Sequence, residues 1–400
     1  MDSHSSSRLI AVIGVAAVTI IPTTASAAGT FNIYGFAQSD LMVDTQRVDP
    51  QWEDAFRPSK IETTKGAFGS DGQTSISAKQ SRLGVSGDFP LDNNLGAVKF
   101  KFEFDAFGVG TNAGQTAIRF RHMYGEWGWL LAGQTNTLFM DIDTFPNVVD
   151  YWGPTGMVFV RNPQIRLTPF NSGNSHFSIA LEKPSNDIDV GVVRELDPAL
   201  GSNIQNDEKW PDLTAQYYYS SGWGHVQLAG IARDVGFDTR GTLNNQPKND
   251  RLGWGVNLSG HIALFEKDKL IGSGVYGQGI ATYMNDGGVD LAPGGTPQAV
   301  KPQAVPLTGV MGYYDHYWND QLSTSLGYSL TQVANTTFQQ ASAFKRGEYA
   351  SINLLYTPTA KILIGGEMLW GKRTDFGGQH GDDVRFQFTV KYDFGASITM

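Results

Sequence analysis

The chain has no cysteine among its 400 residues. That excludes disulfide staples, thiolate metal sites and a cysteine nucleophile, although it assigns no compartment by itself. Charge is also scarce: 17% of residues are charged, where an ordinary soluble domain has about 25%. The balance is acidic, at −9, which argues against a nucleic-acid partner. Beyond the N-terminus no apolar run reaches the about 18 residues a membrane-spanning helix needs. Mean hydropathy is slightly polar, so a helical membrane protein is excluded too. What is present is 47 glycines and 12% aromatic residues. The length suits two average domains or one large β-barrel.

The N-terminus is the exception. In "RLIAVIGVAAVTIIPTTASAAG", Arg8 precedes an apolar run from Leu9 to Ile21, followed by Pro22 and the small-residue pattern Ala25-Ser26-Ala27. The run is short for a membrane anchor, and a cleavage pattern follows it directly. Residues 1–27 are therefore expected to be a cleaved secretory signal peptide, with 28–400 as the mature domain.

The mature chain alternates. In "LGAVKFKFEFDAF", Val98, Phe100, Phe102 and Phe104 fall on one face of a strand, because side chains alternate with period two. Lys99, Lys101, Glu103 and Asp105 fall on the other. Sixteen such segments can be marked, centred on 31–43, 79–88, 95–107, 117–127, 129–136, 159–168, 174–182, 211–219, 223–236, 250–263, 269–284, 307–318, 320–332, 346–356, 360–371 and 384–394. Short turns ("FPLDNN", "PFNSGN", "SSG", "FEKD", Asn319, "TPT") alternate with long loops. Trp127, Trp129, Trp223 and Trp318 fall at the short turns, with Tyr392 and Phe394 level with them. Trp254 and Trp370 fall near the other rim. Two aromatic belts are what a barrel in a bilayer shows.

Strands in hydrocarbon must close, because lipid cannot hydrogen-bond backbone groups. The pattern predicts an all-β fold: a 16-stranded antiparallel transmembrane β-barrel of porin type, with both termini on the short-turn, periplasmic side. A barrel of this size is wide enough for an aqueous channel. The third long loop, "TLFMDIDTFPNVVDYWGPTGM", carries Phe139, Phe145 and Trp152 beside Asp141, Asp143 and Asp150. So many apolar groups predict a loop folded inward and packed on the wall. Strands between residues 79 and 168 carry Lys79, Arg82, Lys99, Lys101, Arg119, Arg121, Arg161 and Arg166. An acidic loop facing an arginine-rich wall would set up a transverse field, and arginine suits carboxylates. The expected function is an outer-membrane diffusion channel preferring small anions, with Arg82, Lys101, Arg119, Arg121 and Arg166 opposite Asp141, Asp143 and Asp150. Alternation admits only one of Arg161 and Arg166, and Arg166 shares its face with Asn162, Gln164 and Thr168. The alternative is a general porin without a binding site.

Other signals are set aside. "GSGVYG" fits a dinucleotide pattern but lies inside a strand with no helix after it. "DID" at 141–143 could bind calcium with loop carbonyls, yet no metal or cofactor is expected. His122, His176, His225, His261, His316 and His380 show no paired metal-ligand spacing. Ser175 and His176 are adjacent in a strand and point apart, so no catalytic pair is expected. An adhesin would keep the third loop outside.

"YGFAQSDLMVD", "VDPQWEDAFRPSKI", "KQSRLGVSG" and above all "AGQTNTLFMDIDTFPNVVDYWGPTGMVFVRNPQIRLT" resemble the DcaP-like trimeric outer-membrane porins. The resemblance spans nearly all of the mature chain and is most specific over residues 130–168. It implies a sixteen-stranded barrel, homotrimers, and uptake of small dicarboxylate-type anions across a Gram-negative outer membrane with its lipid and lipopolysaccharide. Two departures follow. Some relatives carry a helical segment before the first strand, and here none is expected. The chain ends "YDFGASITM", so Phe394 is expected to close the last strand, with Gly395 to Met400 trailing.

Overall fold

The computed structural model describes residues 28–67, 69, 71–92, 95–108, 117–296 and 299–400. The leader expected at 1–27 lies outside the described residues. Sixteen strands close an antiparallel barrel: β1 Thr30–Asp44, β2 Arg82–Pro90, β3 Ala97–Gly108, β4 Ala117–Trp127, β5 Leu130–Asn136, β6 Arg161–Asn171, β7 Ser175–Glu182, β8 Asp212–Ser221, β9 Gly224–Thr239, β10 Asn249–Leu264, β11 Asp268–Gln278, β12 Pro306–Tyr317, β13 Leu322–Val333, β14 Phe344–Thr359, β15 Ile362–Asp375 and β16 His380–Thr399. Each strand pairs with its chain neighbours, and β16 pairs with β1 to close the ring. All sixteen coincide with alternating segments of the sequence.

Alternation sorts the two faces as lipid and water require. On β16, Phe386, Phe388 and Val390 are exposed outward while Arg385, Gln387 and Thr389 are buried inside. On β10, Val256 and Leu258 face out, and Asn257 and Ser259 face in. A lysine or arginine on the lipid face at mid-depth costs about 2–4 kcal/mol. Leu258→Arg is therefore expected to lower barrel stability by about that amount, read as a shift in the urea unfolding midpoint in lipid vesicles. Asn257→Arg, one residue away on the inner face, should carry no such bilayer penalty.

Three boundaries differ from expectation. The last strand does not stop at Phe394: Gly395–Thr399 pairs with Thr30–Tyr34, and Met400 exchanges both backbone hydrogen bonds with Gly29. The start of β1 needs backbone partners along its length, and Ile398 and Thr399 are good strand formers. The eleventh strand ends at Gln278 rather than at 284. Gly279 has φ +64°, and the chain turns inward through the 3-10 turn Ala281–Tyr283. The second strand begins at Arg82, because a turn at Ala78–Ser81 separates it from the short strand Gln73–Ser77. Segments read as loop also hold a hairpin, Leu291–Thr296 with Ala299–Ala304, and two short helices, Val193–Leu196 and Pro198–Asn203.

Two long segments pack against strand residues. In segment 137–160, Phe139, Met140 and Val158 pack with Ala229 and Ile231 of β9, Val275 of β11 and Leu307 of β12. Its backbone is tied to inner side chains around the ring. Gln227 donates to the Met140 carbonyl (3.0 Å) and Asn257 to Phe139 (2.9 Å). Asn353 donates to Asn147 (2.8 Å), and the Val149 amide donates to Glu367 (2.6 Å). A second segment, 45–81, contributes Val48, Phe56 and Ile61 to a cluster with Ile271 of β11, Met311 and Tyr313 of β12, Tyr349 of β14 and Leu369 of β15. Fully burying one such side chain is worth about 1.5–3 kcal/mol. The inner wall of β9–β15 thus holds these segments by apolar patches together with polar side chains that bind their backbone. The inner wall of β2–β4 is ionic.

Candidate functional site

On β3, alternation turns Glu103 and Asp105 inward, both buried, while Phe102 faces out. On β4, Arg119 and Arg121 face in, with Ile118 and Phe120 exposed outside. The β3–β4 register then shifts between Glu103 and Phe104, leaving Arg121 as the extra residue of a bulge. A bulge re-aims side chains, and here His122 is buried beside Arg121.

The charges meet across these strands. Arg121 donates from Nε to Glu103 (2.8 Å) and from a terminal nitrogen to Asp105 (2.9 Å). Arg119 donates to both oxygens of Asp105, at 3.2 and 2.7 Å. Arg82 and Lys101 lie 3.5 and 3.4 Å from Glu103. Tyr34 donates to Glu103 (2.9 Å), and Tyr151 of segment 137–160 donates to Asp105 (2.8 Å). Four cations therefore share two carboxylates, and the patch keeps a positive surplus.

Beside it is a cavity of about 780 Å³ lined by Arg57, Arg119, Tyr151, Trp152, Arg161, Asp187 and Asp286 among others. Arg57 lies over Trp52 and Trp152, 4.1 and 4.5 Å from the ring centroids, and donates to Asp286 (2.9 Å). Burial pushes the Asp187 carboxyl up, with Asp290 adding to the effect. Arg161 has a ring contact with Phe159 at 4.8 Å. It makes no ion pair among the described residues, and its Nε is buried without a hydrogen-bond partner.

The two arginines of β6 lie in different places. Arg161 is the first residue of its strand, where alternation does not yet bind it, and it joins Arg119 at the cavity. Arg166 lies in a separate recess with Glu126, Trp129 and Thr168, donating to Gln164 (3.0 Å) and the Asn136 carbonyl (2.5 Å).

The loop aspartates bind elsewhere. Asp141 meets His225 of β9 (2.8 Å) and Ser259 of β10 (2.8 Å). Asp143 accepts from Tyr218 of β8 (3.2 Å). Asp150 accepts from the amides of Phe56 (3.2 Å) and Gly153 (2.9 Å) and from Tyr349 (3.3 Å). The arginines thus pair with carboxylates of their own wall rather than with the loop, because adjacent strands bring Glu103 and Asp105 closer than any loop residue.

Burial pushes the Asp150 carboxyl up to about 6, while Arg385 and the two amides pull it down. A raised carboxyl binds its proton more tightly in the folded state. Stability is then fully present below the ordinary aspartate range and falls as pH rises through that range to about 6. Glu367 accepts from the Asp150 amide (3.1 Å). Asp150→Asn is expected to flatten the decline, checked by thermal unfolding of the detergent-solubilised protein between pH 4 and 7.

A model of the DcaP outer membrane protein family matches residues 61–394. The chain belongs to that family. Among solved structures, the outer-membrane channel DcaP of Acinetobacter baumannii is similar at TM-score 0.78 and 22% identity, over 94% of this chain and 100% of that one. The anion-selective porin from Comamonas acidovorans aligns at 0.58 and 11% identity, over 92% and 100%. OmpT of Vibrio cholerae, in its trimer form, aligns at 0.52 and 12% identity, over 92% and 100%. No curated protein matches the chain. Family and fold make this an outer-membrane porin channel.

In this DcaP-family porin, several site residues escaped the sequence reading. Arg57, Trp52 and Asp286 come from two segments distant in sequence. The available signal was the same one that marked the third loop: "QWEDAF" carries more apolar groups than a solvated loop needs. Tyr151 stands in the third loop itself, with nothing in its spacing to single it out.

Proposed function

We propose that the protein is a passive channel preferring small anions, dicarboxylates among them. The carrying observation is the charge surplus on one side of the lumen. Arg82, Lys101, Arg119 and Arg121 share Glu103 and Asp105, and Arg161, which borders the adjoining cavity, has no ion-pair partner among the described residues. Apolar seats hold the inner segments against β9–β15, so ions would pass along the ionic wall. In a narrow passage the local field decides selectivity, whatever the net charge of the chain. The anion selectivity named for the Comamonas porin and the trimer form of OmpT are compatible with anion passage and a homotrimer here. Export would remove residues 1–27 and place the barrel in a Gram-negative outer membrane, its outer rim against lipopolysaccharide.

Planar-bilayer recording under a KCl gradient tests this. The expected reversal potential favours chloride, and succinate should reduce the chloride current saturably. A cation-favouring potential would reject the reading of the arginines. Chloride preference without saturation would favour the general porin.

A further inference from the structure

A second cluster of side chains lies on the inner wall at the short-turn ends of β7 to β10. His176 is paired in register with Tyr218, and His225 with His261. Their rings form a continuous row: His176 on Tyr218 at 4.9 Å, Tyr218 on His225 at 5.0 Å, and His225 against His261 at 4.5 Å. The start of segment 137–160 dips to this row and delivers Asp141 and Asp143. Carboxylate oxygens of both and a ring nitrogen of His225 all lie within 4.8 Å of one another.

We propose that Asp141, Asp143 and His225 form a binding site for a divalent transition metal of the Zn²⁺ class. The donor set decides the class. Calcium takes about six to eight oxygens; an imidazole nitrogen with two carboxylates suits Zn²⁺, Ni²⁺ or Cu²⁺. Three protein ligands leave a position for water, as in exchangeable zinc sites. His225 Nε2 and the Asp141 oxygen are 2.8 Å apart, and four-coordinate zinc needs about 3.3 Å between donors. A slight opening therefore admits the ion.

The surrounding shell is in place. A ligating histidine ordinarily donates its other ring N–H to an acceptor. His225 Nδ1 lies 2.7 Å from His261 Nδ1, so metal on Nε2 leaves Nδ1–H to donate to a neutral His261. Ser259 donates to Asp141 (2.8 Å) and Tyr218 to Asp143 (3.2 Å), orienting both carboxylates. Asp141 and His225 are buried, while Asp143 is exposed and gives the ion access. A bound ion would clamp the start of the segment to β9 and add positive charge to the lumen. Metal binding is the primary readout, so the proposal stands or falls independently of anion preference.

The test uses the purified, chelator-treated barrel in detergent, titrated with Zn²⁺ by calorimetry and with Co²⁺ by its visible absorption. One saturable site per chain is expected, with Ca²⁺ failing to compete. His225→Ala and Asp141→Ala should abolish binding. Ser259→Ala should weaken it about 10–100-fold, the usual cost of losing an outer-shell partner. Asp143→Ala, at an exposed position that leaves the His225–Asp141 contact intact, should weaken it at least about tenfold by the same comparison. His380→Ala, at an exposed residue, should bind like the wild type. Each variant is first shown to migrate as a folded, heat-modifiable barrel. Absence of a saturable site in the wild type would overturn the proposal, leaving His225–Asp141 a structural anchor only. Unchanged affinity in folded Asp143→Ala would overturn the three-ligand site.

Discussion

Reversing the charge at Arg161 is expected to collapse the preference of the channel for anions. Arg161→Glu changes the local charge by two units at a cavity-lining position. For an ion about 8 Å away at an effective dielectric of about 40, each unit is worth about 1 kcal/mol, so reversal shifts relative anion occupancy about thirtyfold. Arg161→Gln should give about fivefold on the same reckoning. Salt shortens the reach of the field to about 10 Å at 0.1 M, so the effect should be largest in dilute electrolyte. Arg161 is the informative position because it has no carboxylate partner among the described residues. Substituting Arg119 or Arg121 would also strand Asp105, mixing a selectivity change with a structural one. Reversal potentials under a KCl gradient check the prediction. An unchanged potential in Arg161→Glu would show that permeating ions do not sense this residue.

The largest stability loss is expected at Arg385. Its side chain and that of Asp44 are fully buried and joined by two hydrogen bonds, at 2.6 and 2.9 Å. Arg385 also donates to the Glu53 carbonyl (2.7 Å) and lies over the Phe56 ring at 5.3 Å. It thereby fixes segment 45–81 to the β1–β16 seam. Arg385→Ala leaves a buried, uncompensated carboxylate, at a cost of about 3–5 kcal/mol. The double variant Arg385→Met with Asp44→Leu removes both charges and should recover most of the loss, since apolar replacement of a buried pair is often neutral. Urea unfolding in vesicles measures both. A single variant as stable as the wild type would show that water or another cation already compensates Asp44.

The barrel was legible in the sequence because its cause is local. Each strand must put oily groups toward lipid and ionised ones toward water, and a two-residue period writes that requirement into every segment. Phe102 outside and Glu103 inside could be read from their neighbours alone. The packing of the third loop was legible for a related reason: Phe139, too apolar for a solvated segment, is buried against Ala229, Ile231 and Val275. Strand ends were less legible. Gly279 ended β11 where the alternation seemed to continue, and the last five strand residues were held by pairing with Thr30–Tyr34, about 365 positions earlier in the chain.

Alternation and composition alone thus determined a closed barrel, its number of strands, and its wet and oily faces. They placed Arg82, Lys101, Arg119 and Arg121 on one wall. Which carboxylates those cations meet was decided by the tertiary structure, through strand register and the bulge at Arg121. So were the place of Arg161 at the cavity and the descent of Asp141 and Asp143 onto His225. The physical reason is distance along the chain: periodicity fixes the side of a strand on which a residue stands, whereas contacts between remote strands and loops exist only once the ring has closed.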